Sequence, residues 1–109
     1  MYDEILISAM PAELETLIVA LCRDYPRRAE VIKSRGAPYN VIMEYRFLNY
    51  RIMNAAIEIA GSRDALYFIY DIGQDIGYAS SDLWVLSEVL YKQRKKEVRD
   101  NIARRLSLM

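Results

Sequence analysis

Apolar side chains return every three or four positions from Met10 to Leu106, and nowhere do they alternate with polar ones for long enough to build a strand. That periodicity predicts an all-α chain, because a 3.6-residue turn gathers such residues into one stripe. Met10, Leu14, Leu17, Ile18 and Leu21 share the first face, and Pro11, Glu13 and Glu15 suit the opening turn of a helix over 11–23. Tyr25-Pro26 interrupts it, since proline disfavours helical geometry at the residue before it; a second, short helix is expected to run to Arg35 and stop at Gly36. After Pro38, the stripe Ile42, Tyr45, Leu48, Ile52, Ala56 and Ile59 defines the longest helix, ended by Gly61. Ser62 is the expected N-cap of a fourth, with Leu66, Ile69, Tyr70 and Ile76 buried, Gly73 weakening its end and Gly77 closing it. Ser81 or Ser87 caps the last helix, in which Trp84, Tyr91, Val98, Ile102 and Leu106 line one face. The expected architecture is a compact all-α bundle of about five helices.

A length of 109 residues suits a single helical domain, 1–109, with one core. With 53% apolar residues and only four glycines and three prolines, the chain is expected to fold almost end to end. Its longest apolar run, Leu17 to Cys22, is far below the roughly 20 residues that cross a bilayer, and Asp3 and Glu4 open the chain where an export signal would be basic. A lone cysteine forms no internal disulfide, so Cys22 fits a reducing, cytoplasmic setting and a small core position.

Catalytic chemistry finds little to work with. The chain has no histidine, which removes the commonest general base at neutral pH and the commonest nitrogen ligand for zinc. Cys22 has no histidine to activate it, no glycine-rich phosphate loop occurs, and the acids show no spacing that marks a catalytic pair. The expectation is a non-enzymatic protein without cofactor or metal, which works by binding a partner.

The net charge of zero conceals a division along the chain: −4 over residues 1–22, +3 over 23–35, zero over 36–61, −4 over 62–90 and +5 from 91 onward. In the basic tail, Lys92, Lys95, Lys96 and Arg99 recur at i, i+3, i+4 and i+7 and so share one helical stripe, while Asp100 and Arg104 have the spacing of an ion pair. Such a stripe is either a solvated face or a surface that meets phosphate, and a serine-capped N-terminus ahead of it favours phosphate. Of the twelve aromatic rings nine are tyrosine, including Tyr39, Tyr45, Tyr50, Tyr67, Tyr70 and Tyr78. They can stack on bases or anchor a protein interface, but their places on apolar stripes favour the core edge, ring inside and hydroxyl out.

The segment from Leu86 to Val98, LSEVLYKQRKKEV, and the tail Asn101 to Leu106, NIARRL, resemble the end of small phage-encoded transcriptional regulators of the ArpU and RinA type, and Tyr25-Pro26 with Ile32 and Arg35 is similar to their N-terminal half. The resemblance covers about half the chain. It implies a C-terminal helix-turn-helix-like DNA reader acting in prophage late-gene control. Ser87 would be the helix cap, Tyr91 a core or backbone contact, and Lys92, Arg94, Lys95, Lys96 and Arg99 the DNA-binding residues. Only nine residues separate Gly77 from Ser87, so either the 63–76 element supplies the supporting helix or the unit is degenerate.

Two partners therefore suit the sequence. One is double-stranded DNA, read by a chain that is often a homodimer when its sites are palindromic. The other is a host or defence protein, such as a nucleic-acid-handling nuclease inhibited in anti-CRISPR fashion, with Asp64, Asp71 and Asp75 imitating phosphates toward its basic surface.

Overall fold

The computed structural model describes residues 10–34 and 36–108. Among them the regular structure is entirely helical: α1 Ala12–Arg23, α2 Tyr25–Lys33, α3 Tyr39–Gly73 and α4 Glu88–Arg105, with a single 3₁₀ turn at Tyr78–Ser80. None of these helices is long and apolar enough to cross a membrane.

Among the described residues the helix count is four rather than about five, because the expected third and fourth helices run on as α3. Gly61 does not end the helix; it breaks it, with φ 81° and ψ 162° inside an otherwise helical span. That backbone region is essentially closed to residues with a Cβ. Ser62, expected as an N-cap, lies within α3 just past the break and is exposed. Gly61→Ala should therefore cost about 1–3 kcal/mol through strain alone, since a methyl group there meets nothing within 4 Å. An unchanged urea midpoint would show that the backbone is not broken at this point.

The break also resets the helical phase. Before it, Ile52 and Ala56 are buried as expected, with Ile42, Tyr45, Leu48 and Ile59 half-buried around them. After it, the inward residues are Ala65, Phe68, Ile69 and Ile72, whereas Leu66 and Tyr70, expected in the core, are 52% and 51% exposed. A straight continuation of 52, 56 and 59 at helical spacing would have led to 66 and 70. The chain turns those outward and stops at Gly73, short of the expected Gly77.

Every other helix packs against α3. α4 runs antiparallel to it: Tyr91 meets Asp71 at one end, Asn101 donates to the Ala55 carbonyl at 2.8 Å, and Arg105 reaches Glu58 at the other. Tyr91, Val98, Ile102 and Ala103 seal the core from the α4 side, and Leu106 is half-buried. Trp84, expected on this face, sits ahead of the helix and is 70% exposed. α1 contributes Ile18 and Cys22, while Leu17, two-fifths exposed, turns away. α2 ends at Lys33, where Ser34 adopts extended geometry; Arg35, the expected end, lies outside the described residues.

One buried cation joins three helices. Arg28, on α2, donates to the Leu21 carbonyl at 2.6 Å and to Asn49 Oδ1 at 2.7 Å, and reaches Asp24 Oδ2 at 3.2 Å. Asn49 passes the connection on by donating to the Tyr25 carbonyl. Burial lowers the Arg28 pKa, and Asp24 opposes that shift. Because arginine stays charged in proteins, these partners are what make its burial tolerable.

Candidate nucleic-acid interface on the C-terminal helix

α4 begins with a side-chain cap: Ser87 Oγ accepts the Leu90 N–H at 3.1 Å, and the Ser87 carbonyl accepts the Tyr91 N–H. The extended Ser87 backbone turns the chain into the helix and satisfies donors that would otherwise be bare. The preceding residues, 74–87, form the 3₁₀ turn and a loop rather than the three- or four-residue connection of a helix-turn-helix. The expected C-terminal unit is thus a single helix held on α3 by a structured loop.

Four side chains fix that loop. Ser81 Oγ accepts from the Leu83 N–H and donates to Asp71 Oδ2 at 2.5 Å. The Tyr91 hydroxyl lies 2.8 Å from the same carboxylate oxygen and 3.1 Å from the Ile76 carbonyl. Tyr78 spans the loop, its hydroxyl within 2.6 Å of the Leu86 carbonyl. The Tyr91 ring stacks on Phe68 at 5.6 Å and tilts against Tyr78 at 5.5 Å. Burial and the Asp71 carboxylate push the Tyr91 pKa up, so its hydroxyl keeps its proton.

Asp71 is therefore a buried acceptor, not part of an acidic surface, and Asp64 is buried as well, paired with Arg63 at 3.0 Å. Of the three acids proposed to imitate phosphates, Asp75 alone is exposed. Asp64 and Asp71, seven residues apart, turn inward from α3, and Asp75 lies past the end of that helix at Gly73. The locking roles of Ser81 and Tyr78 carry no sequence signal beyond their place in a loop.

The four cations of the stripe come together as expected, around a recess of about 460 Å³ that Glu15, Asp75 and Tyr78 also line. They are not equivalent. Arg99 is 18% exposed and bonded to Glu15 at 3.3 Å and Asp100 at 3.1 Å, which ties α4 to α1. Lys95 donates to the Ile76 carbonyl at 2.6 Å with its ammonium 5.9 Å from the Tyr91 ring centre. Both sit against the protein's own groups and fasten the helix. Lys92 makes only an exposed i, i+4 pair with Glu88 at 2.9 Å, a kind of contact that a phosphate readily replaces. Lys96 is exposed and, among the described residues, makes no ion pair. Arg94 is half-buried and does not line the recess.

The expected Asp100–Arg104 pair does not form. Asp100 is taken by Arg99, and Arg104 donates instead to Asn101 Oδ1 at 2.7 Å.

The surviving exposed face is the N-terminal half of α4. Glu88, Val89, Lys92, Gln93 and Lys96 all face solvent, at spacings of one, three, one and three that keep them on one side of the helix. Among the described residues no three Cys, Asp or Glu side chains gather as a metal site. Compared with known proteins, the chain matches no family model, no curated protein and no solved structure.

Proposed function

We propose that the chain is a DNA-binding protein, a transcriptional regulator of the phage type, that meets the phosphate backbone with the outer face of α4. The observation that carries this is the Ser87-capped N-terminal half of that helix, with Lys92, Gln93 and Lys96 projecting together into solvent. Cations there pair with phosphates, an amide can bond a base edge, and a helix N-terminus favours anions. Within the stripe, Lys92 and Lys96 are the contacting residues and Lys95 and Arg99 the positioning ones; Arg94 reaches a phosphate only from the side. The resemblance of 86–106 to ArpU- and RinA-type regulators supports the same surface.

Anisotropy titrations of mixed-sequence duplex DNA over a salt series test this. Each phosphate contact contributes a slope of about −0.9 in log affinity against log salt, so replacing both Lys92 and Lys96 by Ala should flatten the slope by about 1.8 and weaken binding at low salt at least tenfold. Helical circular dichroism should not change, as both side chains are exposed. Salt-independent affinity, or none for the wild type, would remove the proposal.

A further inference from the structure

The first half of α3 is apolar on both sides. Its inward face carries Ile52 and Ala56, while the opposite face shows solvent Tyr39, Met43, Phe47 and Tyr50, which are 77%, 43%, 63% and 68% exposed. At 3.6 residues per turn these four fall within an arc of about 80°. Tyr39 and Tyr50 thus depart from the core-edge placement expected of them, as do Tyr67 and Tyr70, each about half exposed. Taking roughly 200 Å² for a large side chain, the stripe leaves on the order of 500 Å² of mostly apolar surface open, or about 1,000 Å² for two copies. That is the lower bound of a specific interface and more than isolated surface residues need.

Exposed Arg46 borders one edge of the stripe, and the flank on the other side, which carries both signs of charge, is the one that points to the occupant. Glu44 and Arg51 lie on the same flank, and Arg51 is fixed there by a bond to the Arg105 carbonyl and by the Phe47 ring 5.4 Å below its guanidinium. When two identical helices pair antiparallel about a two-fold axis, each flank meets its own copy. With the axis at Phe47, Phe47 meets the second copy's Phe47, Met43 meets Tyr50, and Glu44 comes opposite Arg51, twice over. The second copy's Tyr39 then falls beside Asn54, next to a groove of about 390 Å³ lined by Tyr25, Ile32, Asn49 and Met53.

We infer that this face of α3 is the docking surface for a second copy of the chain, in an antiparallel, isologous pair centred on Phe47. The inference stands apart from DNA binding, since the stripe belongs to a different helix from the Lys92 and Lys96 surface.

Sedimentation equilibrium of the full chain tests it. The wild type should sediment at twice its 12.7 kDa chain mass at high micromolar concentration, and Phe47→Glu should raise the dimer dissociation constant at least tenfold while keeping the helical spectrum and melt. Glu44→Arg and Arg51→Glu should each weaken the dimer severalfold, and the two together should restore it. A monomeric wild type, as when residues 1–9 or a different protein cover the stripe, would overturn the inference. So would a dimer indifferent to Phe47→Glu; a double variant no better than its parents would overturn the antiparallel register.

Discussion

Gly73→Val should yield a chain that does not fold cooperatively, and Gly73→Ala one weakened by at least about 3 kcal/mol. A Cβ built on Gly73 comes within 2.5 Å of the Arg23 nitrogen, 2.7 Å of the Arg23 Cα and 2.7 Å of the Cys22 carbonyl carbon. All three are backbone atoms, so no rotamer change relieves the clash. The ends of α1 and α3 would have to separate, pulling Cys22 out of the core and breaking the 2.9 Å bond from Arg23 Nε to the Gly73 carbonyl. Small domains hold only about 5–15 kcal/mol in total, so the valine variant lies beyond what this one can absorb. Gly77 is the control: a methyl group there meets nothing within 4 Å and its backbone is extended, so Gly77→Ala should melt close to the wild type. Urea denaturation followed by circular dichroism decides between them. Equal stability of the Gly73→Ala and Gly77→Ala variants would mean that α1 does not cross α3 so closely.

Alkali should destabilise the protein from about pH 9 upward. Burial pushes the Cys22 thiol from 9.0 up to about 12, opposed in part by Arg28. Burial and Asp71 likewise hold the Tyr91 hydroxyl above its usual 10.0. Between the ordinary and the raised value the unfolded chain has released the proton and the folded chain has kept it. The unfolded state then binds fewer protons, so stability falls as pH rises; below pH 9 neither group contributes any slope. Each group removes about 1.4 kcal/mol per pH unit within its window. By pH 11 the loss from Cys22 is on the order of 3 kcal/mol, with a further contribution from Tyr91 starting near pH 10. Cys22→Ala starts lower, because it leaves a small cavity, but should lose less between pH 9 and 11. Parallel stability curves for the two proteins over that interval would show that the thiol is not sequestered in the folded state.

The sequence announces these two effects unequally. Gly73 reads as a weak point in a helix, and its value as the one residue slim enough for two backbones to touch depends on what crosses it. Cys22 reads correctly as a core residue, since a small apolar side chain on an apolar face has few other places to go. Asp71 is the opposite case. An aspartate in an acidic segment looks solvated, yet it is buried because Ser81 and Tyr91, ten and twenty residues onward, bring their hydroxyls to it.

The candidate interface divides in the same way. Lys92, Lys95, Lys96 and Arg99 share a helical stripe by spacing alone; residue type and position leave Ser81 or Ser87 as their cap, and the structure has Ser87. Which of them remain free depends on partners from elsewhere: Glu15 on α1 for Arg99, and the Ile76 carbonyl at the end of the loop for Lys95.

Local periodicity determined by itself that the chain is helical, where α1 runs, and that Ile52, Val98 and Ile102 face inward, because these follow from a repeat of three to four residues. Tertiary structure alone decided the phase of α3 beyond Gly61, the exposure of Tyr39, Phe47 and Tyr50, and the division of the cations into fastened and free. Each of those depends on which surfaces arrive opposite one another. A helix's own sequence defines its faces, but only the elements packed around it decide which of two apolar faces is covered.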